Sequence, residues 1–212
     1  MNRLQTELQR LYPPADEGGV RAMVLELARP ATWELLSKVW QGVQADLELP
    51  APAIAVSGID SYQLWFSLSE PVPAAEATAF LEALRKRYLG DVAPDRIALN
   101  PTVTGPPVEA RPGHWSAFLA PDLAALFAGE PWLDLPPGLD AQAELLSRLE
   151  STKTGDLRRA MERSAQAQQA AVDNLDPRTF LLQVMNDRST ELHLRIEAAK
   201  ALLPWFEGRK PS

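Results

Sequence analysis

Cysteine is absent from this sequence, which excludes disulfide bonds and thiolate metal sites and fits a reducing compartment. Only two histidines occur, too few to support a cage of histidine metal ligands, and no nucleophile motif accompanies them. No apolar run approaches the roughly 18 residues of a membrane span, and the first residues contain no apolar signal-peptide segment. We therefore expect a soluble cytoplasmic protein without membrane contact.

Positive charge is also scarce in most of the chain, whose formal net charge is −7. Residues 1–150 contain 11 Lys and Arg against 20 Asp and Glu, which gives −9. Residues 151–212 contain 10 against 8, which gives +2. Because nucleic-acid affinity comes mainly from cations that neutralise phosphates, we expect at most weak binding, carried by the C-terminal part. The candidate contacts are Arg158, Arg159, Arg163, Arg195 and Lys200.

Proline clusters separate short periodic stretches in the first 140 residues, which favours an α/β or α+β domain. The predicted strands are residues 20–27, 53–56, 62–69, 96–99 and 114–119. The predicted helices are residues 32–47, a stretch starting near Pro73, and residues 141–149. In 62–69 the period-two alternation places Tyr62, Leu64, Phe66 and Leu68 on one face and Gln63, Trp65 and Ser67 on the other.

The C-terminal third predicts helices. After a predicted linker at 151–155, residues 156–172 have a thin apolar stripe, and we interpret them as an exposed connecting helix. Asp176 and Pro177 fit the N-cap and first position of the next helix, and a last helix runs from about 190 to 203, closed by Pro204. The predicted organisation is a domain at 1–150, a linker and connecting helix at 151–175, and a helical pair at 176–212.

Residues 57–66 (SGIDSYQLWF), followed by EPVP at 70–73 and a helix, resemble the second motif of the archaeo-eukaryotic primase superfamily. In that motif a Ser-Gly turn leads into a strand carrying Gly-Tyr-His-Leu-Trp. Similar stretches of bacterial primase-like proteins match RIALNP at 96–101, GHWSAFL at 113–119, Asp122 and PWL at 131–133. The resemblance covers about half the chain. It implies a primase-polymerase-like mixed sheet flanked by helices, within an α+β fold that ends in a C-terminal helical tail.

Active members of the superfamily hold two divalent metals with an Asp-x-Asp pair and a third acid, and they contact the triphosphate with a histidine. In the matching strand VLELA (24–28), Glu26 is the one carboxylate and Ala28 stands at the partner position; Gln63 matches the histidine. Glu109 and Asp122 are candidates for the third acid. The resemblance therefore implies a degenerate active site with no catalytic residue and no cofactor, with Mg²⁺ or Mn²⁺ only if a residual site at Glu26 functions.

The candidates for a residual cleft are Glu26, Ser57, Asp60, Gln63, Trp65 and His114. Each has an alternative role. Glu26 is either a strand residue paired with an arginine or part of a residual site for a cation or a polar ligand. Trp65 either stacks on a base or packs under a helix, and His114 is either a satisfied surface histidine or a ligand.

The tail has a resemblance of its own. Residues 176–187 and 194–205 resemble a helical segment of phage-derived proteins, including some small terminase subunits. Their apolar stripe, formed by Leu192, Ile196, Ala199 and Leu203, is narrow and needs a surface to pack on. Docking on the main domain and self-association both provide one.

The leading hypothesis is a catalytically inactive primase-like binding or scaffold protein in phage or mobile-element DNA metabolism, including replication. Its expected partners are weakly bound DNA or nucleotide and a second copy held through the C-terminal helices. One alternative is a divergent metal-dependent nucleotidyltransferase or nucleotide-processing enzyme that uses Glu26, Asp60 or Glu109. The other is a plain protein-interaction module.

Overall fold

The computed structural model describes residues 2–14, 19–100, 105–173, 176–187 and 189–207. The chain divides into two compact units, Met1–Ser164 and Ala165–Ser212. Pro101 of the primase-like stretch, residues 174–175 of the predicted connecting segment, and residues 188 and 208–212 of the predicted tail lie outside the described residues. In the part of the chain that is described, no helix has the length and apolar character needed to cross a membrane.

The first unit is built on strands that alternate with helices. The strands are β1 (Val20–Ala28), β2 (Ala53–Val56), β3 (Ser61–Val72), β4 (Ile97–Asn100), β5 (Glu109–Arg111), β6 (His114–Trp115) and β7 (Ala117–Leu119). Five of them form an antiparallel sheet in the order β4-β1-β3-β2-β7, and β5 and β6 form a separate hairpin.

Seven helices occur in the described residues, and with the sheet they confirm the predicted α+β fold with a C-terminal helical tail. They are α1 (Arg3–Leu11), α2 (Trp33–Ala45), α3 (Ala74–Tyr88), α4 (Leu139–Ser147), α5 (Thr154–Asp173), α6 (Pro177–Asn186) and α7 (Leu192–Glu207). Short 3₁₀ turns lie at Pro94–Arg96 and Ala124–Phe127. The predicted N-cap is confirmed, since Asp176 accepts hydrogen bonds from the backbone N–H groups of Arg178 and Thr179.

The period-two pattern of β3 is confirmed by two separate cores. Tyr62, Leu64, Phe66 and Leu68 belong to the larger core, which includes apolar side chains of α2, α3 and the start of α5. Burying each such side chain contributes about 1.5–3 kcal/mol. The Tyr62 hydroxyl donates to the carbonyl of Ala124 at 2.6 Å, and burial raises its pKa to about 12. This bond ties the 3₁₀ turn Ala124–Phe127 to the sheet.

The opposite face of the sheet is covered in part by α1 and α4, which contact each other. Leu4 and Leu11 of α1 and Leu146 of α4 form a second core with Trp65. Helix α1 begins with a capping box between Asn2 and Gln5, which satisfies N–H groups at the helix start. Two helices that are far apart in sequence therefore determine how much of this sheet face stays exposed.

The predicted single strand at 114–119 is wrong, because Ser116 divides it. β6 pairs with β5, whereas β7 pairs with β2. Between them the Ser116 hydroxyl accepts from the Val108 N–H at 2.8 Å, and the Ser116 N–H donates to the Val108 carbonyl at 2.9 Å. The chain therefore changes partner at a residue whose side chain replaces part of the backbone pairing.

Residues 151–164 pack on the first unit. Thr152 bridges to β3 beyond the end of β2: its N–H donates to the Ser67 carbonyl at 2.8 Å and its carbonyl accepts from Ser69 at 2.9 Å. Leu157 and Ala160, one turn apart on α5, are fully buried. The prediction of an exposed connecting helix is therefore wrong for the first half of α5, because its narrow stripe of small and apolar side chains fits against the larger core.

The second unit pairs α6 with α7. The predicted end of the last helix before Pro204 is wrong, since α7 continues to Glu207 with Pro204 inside it. Proline has a helix-compatible φ, and the cost of placing it there is one lost backbone hydrogen bond and local crowding.

Candidate functional site

Glu26 lies at the centre of a row of hydrogen-bonded side chains on the less covered face of the sheet. It pairs across the ladder with Gln63, two residues from the Ala28–Ser61 pair. One oxygen of the Glu26 carboxylate accepts a hydrogen bond from the Ser61 hydroxyl. The other oxygen accepts from Gln63 Nε2 at 3.2 Å. Among the described residues these partners, rather than the arginine that the sequence suggested, hold Glu26.

Trp65 continues the row and is only 1% exposed. Its indole N–H donates to Gln63 Oε1 at 2.9 Å. Tyr12 and Phe118 contact the indole at ring-centroid distances of 5.3 and 5.8 Å, and burial raises the pKa of the Tyr12 hydroxyl far above its usual range. Trp65 therefore packs beneath helices, and its ring has no open face on which a base could stack.

A small pocket of about 190 Å³ opens beside Glu26, and it contains both signs of charge. Glu26, Asp60 and Asp95 contribute carboxylates, and Arg29 and Arg96 contribute guanidinium groups. Arg96 donates to the carbonyls of Ala28 and Pro30 at 3.2 and 2.9 Å, so it fixes the chain that leaves β1. The volume is below the roughly 300–1,000 Å³ typical of drug-sized ligand sites.

Three charged residues of this pocket, Arg29, Asp95 and Arg96, were missed from sequence. Arg29 adopts a left-handed backbone conformation (φ 48°) and donates to the Asp95 carbonyl at 3.0 Å. Arg96 was predicted as a strand residue, but it ends the 3₁₀ turn before β4. A charged residue next to a proline after a strand is a weak signal of a turn, and it does not specify which side chains that turn brings together.

Ser57 and Asp60 lie on the turn between β2 and β3. The Ser57 hydroxyl accepts from the N–H groups of Ile59 and Ser61, both at 3.2 Å, so it stabilises the turn. Gly58 has φ +80°, and a Cβ there would lie 2.8 Å from the Ser116 nitrogen. This position therefore requires glycine. Asp60 is exposed and reaches the pocket beside Glu26.

His114 is not among the residues that line this pocket. Its ring stacks on Trp132 with centroids 4.4 Å apart and an interplanar angle of 8°. Its Nδ1 is buried and has no hydrogen-bond partner among the described residues. Stacking on Trp132 encloses one ring nitrogen and leaves His114 half-buried, so it is not a freely exposed surface histidine.

The donor set around Glu26 does not fit a two-metal site. Ala28 offers no ligand, and the remaining carboxylate already accepts hydrogen bonds on both oxygens. Glu109 accepts from the Gly113 N–H at 3.0 Å in the β5–β6 hairpin, and Asp122 lines a different, apolar pocket. Within the described ranges no group of three His, Asp or Glu side chains could hold a metal ion.

The candidate nucleic-acid contacts are already engaged within the protein. In the first unit, Arg158 lies 3.6 Å from Glu76, Arg159 pairs with Asp156, and Arg163 lies 2.8 Å from Glu48. In the second unit, Arg195 donates to the Met185 carbonyl at 3.0 Å and Lys200 lies 2.8 Å from Glu197. Exposed pairs of this kind contribute about 0–1 kcal/mol, so a phosphate can replace the carboxylate partner.

No protein-family model matches this chain, and a search of curated proteins found no similar sequence.

Proposed function

We propose that this chain is a catalytically inactive, primase-like binding or scaffold protein of the cytoplasm that acts in phage or mobile-element DNA metabolism. The row Trp65–Gln63–Glu26–Ser61 carries the proposal. Its polar side chains hydrogen-bond one another, on the face where an active relative would clamp metal ions and a triphosphate. This hydrogen-bonded arrangement supports a structural rather than a catalytic role for that face of the sheet.

The remaining pocket supports weak contact with a ligand. At about 190 Å³ it admits part of a nucleotide, and its three carboxylates oppose a polyphosphate. The exposed cations of α5 lie in a chain of net charge −7. We therefore propose weak binding of DNA through a few phosphate contacts.

The first prediction concerns a fluorescent primer–template mixed with the full chain, nucleotides and Mg²⁺ or Mn²⁺. We expect no extension, because Ala28 cannot replace the second acid of a metal-holding pair and no group of three His, Asp or Glu side chains in the described residues could hold a metal ion. Anisotropy should show weak binding whose affinity falls with salt, at about 0.9 logarithmic units per logarithmic unit of salt for each phosphate contact. Both readouts come from the same sample.

Matched charge reversals provide the control. Arg158→Glu with Arg159→Glu should weaken binding and flatten the salt dependence. Lys38→Glu with Lys86→Glu changes net charge equally at other exposed positions and should do less. Metal-dependent extension that Glu26→Ala abolishes would support the nucleotidyltransferase alternative. Absence of any DNA or nucleotide binding would favour the plain interaction module.

Self-association is the second part of the proposed role, and the second unit supports it. Large apolar side chains of α6 and α7 remain exposed: Phe180 42%, Leu192 69%, Leu194 47%, Ile196 47% and Leu203 55%. Several large apolar side chains exposed on one pair of helices are typical of an interaction site.

The second prediction concerns this surface. Leu192→Glu with Ile196→Glu places two charges on one stripe of α7, and the chain should sediment at lower mass because like charges would face each other across a symmetric interface. His193→Glu, at an exposed neighbouring position, is the control and should leave the mass unchanged. If the double variant and wild type sediment identically at every concentration, this stripe does not mediate association.

A further inference from the structure

The first unit has an apolar surface beside β7 that the proposed function does not use. Four of the six large hydrophobic residues exposed in its described part lie here, namely Leu123 46%, Leu126 76%, Leu135 75% and Leu139 48%. Such residues usually occur singly on a surface, and their concentration in one place indicates a contact site.

The surface contains a groove, which we call the β7–α4 groove. Two adjoining pockets of about 450 and 310 Å³ share Phe118, Leu119 and Leu145 as their floor. The larger pocket is also lined by Leu123, Phe127 and Leu133. The Tyr62 hydrogen bond holds the 3₁₀ turn Ala124–Phe127 that forms one wall, so the groove is built on anchored elements.

Acidic side chains surround this surface: Asp122 lines the smaller pocket, and Glu130 and Asp134 line a third pocket that shares Phe127 and Leu133 with the larger one. Between residues 112 and 147 the sequence contains no Lys or Arg but five acids. Asp122, Glu130, Asp134 and Asp140 are exposed, and none forms an ion pair with a described residue. Glu144 is neutralised: hydrogen bonds from Arg3 and then from Arg148, the cation that lines both pockets, lower its pKa. An apolar floor with a negative rim is complementary to a partner that is both apolar and basic.

A partner strand has no place to pair at the β7 edge of the sheet. The side chain of Gln142 on α4 accepts from the Phe118 N–H at 2.7 Å and donates to the Phe118 carbonyl at 3.0 Å. Those are the outward backbone groups that strand addition would need. A helix requires no such groups, because its own backbone is satisfied internally.

We propose that the β7–α4 groove binds a basic amphipathic helix of another protein, with leucine-like side chains on the apolar floor and Lys or Arg against the acidic rim. A second copy of this chain is disfavoured as occupant, since two acidic rims would then face each other. Leu126 and Leu135 line the adjoining third pocket, which shares Phe127 and Leu133 with the groove, and there they would contact the flank of the helix.

The test uses the full chain and a fluorescein-labelled helical peptide with Leu at every third or fourth position and Lys elsewhere. We expect saturable binding with a Kd below about 1 mM, weakened by salt. A second peptide with Glu in place of Lys should not bind measurably. Absence of binding by the Lys peptide up to about 1 mM, or equal binding of both peptides, would overturn the proposal.

Two variants locate the site. Leu126→Ala with Leu135→Ala, at highly exposed positions that barely affect folding, should weaken the Lys peptide about tenfold. Asp134→Asn with Asp140→Asn should weaken it at low salt and have little effect at high salt. The matched controls are Ile59→Ala and, for charge, Asp91→Asn with Glu34→Gln, and these should bind as wild type does. Equal affinity in all variants, or a concentration-dependent dimer that the leucine variant abolishes, would contradict a separate helical partner.

Discussion

Replacing Trp65 with alanine should lower the free energy of unfolding by about 3–5 kcal/mol, the usual cost of truncating a buried tryptophan or phenylalanine. The indole is 1% exposed and contacts Tyr12 and Phe118. Its removal leaves a cavity between the sheet and the helices α1 and α4. It also leaves Gln63 Oε1 without the indole donor. Urea unfolding followed by far-UV circular dichroism measures the loss.

A second tryptophan in the same unit provides the control. Trp132 stacks on His114 but is partly exposed, so Trp132→Ala should cost clearly less than Trp65→Ala. The comparison also separates two roles for Trp65. A base-stacking residue would lose ligand affinity with little change in stability, whereas a core residue loses stability first. Equal, small destabilisation by both substitutions would show that Trp65 is not part of a packed core.

The sequence predicts on which face of the sheet each β3 side chain lies, but it does not predict which helices bury that face. Alternation in residues 62–69 correctly separated Tyr62 from Trp65. Trp65 is buried by α1 and α4, which lie more than fifty residues away on either side of it. Helix α1 did have a recognisable signal, since Asn2 and Gln5 form its capping box and Leu4, Leu8 and Leu11 share one stripe.

The hydrogen-bond partners of Glu26 could not be predicted from sequence either, for a different reason. A strand pattern gives the face on which a carboxylate lies, but not the register of its neighbours. The observed register opposes Glu26 to Gln63 and Ala28 to Ser61, and this alone places a hydroxyl and an amide around the carboxylate. A shift of two residues would keep every side chain on its face and give Glu26 different partners.

The division of residues 114–119 into two strands could not be predicted from the local sequence pattern. The run HWSAFL has a plausible strand composition throughout. Its two halves pair with different strands because the Val108 backbone bonds to Ser116. That contact comes from a loop rich in proline and glycine, whose path has no periodicity to follow.

Replacing Gln142 with leucine should lower the free energy of unfolding by about 3 kcal/mol, because two buried backbone groups lose their partner and each costs about 1–3 kcal/mol. Gln142 is 5% exposed, so water cannot readily replace it. Leucine has a similar volume, and the effect therefore reports the hydrogen bonds to Phe118 rather than a cavity. Urea unfolding of the variant measures the loss.

Two further variants make the Gln142 experiment decisive. Gln41→Leu makes the same chemical change at an exposed position of α2 and should change stability by less than about 0.5 kcal/mol. Gln142→Glu keeps an acceptor for the Phe118 N–H but directs a second oxygen at the Phe118 carbonyl. It should therefore also lower the free energy of unfolding, by an amount that falls as the carboxyl is protonated at low pH.

Freed from Gln142, β7 becomes an unpaired edge, and the leucine variant should associate at concentrations where wild type does not. If Gln142→Leu were as stable as Gln41→Leu, the side-chain amide would not be what closes this edge, and the adjacent groove would then be open to a strand as well as to a helix.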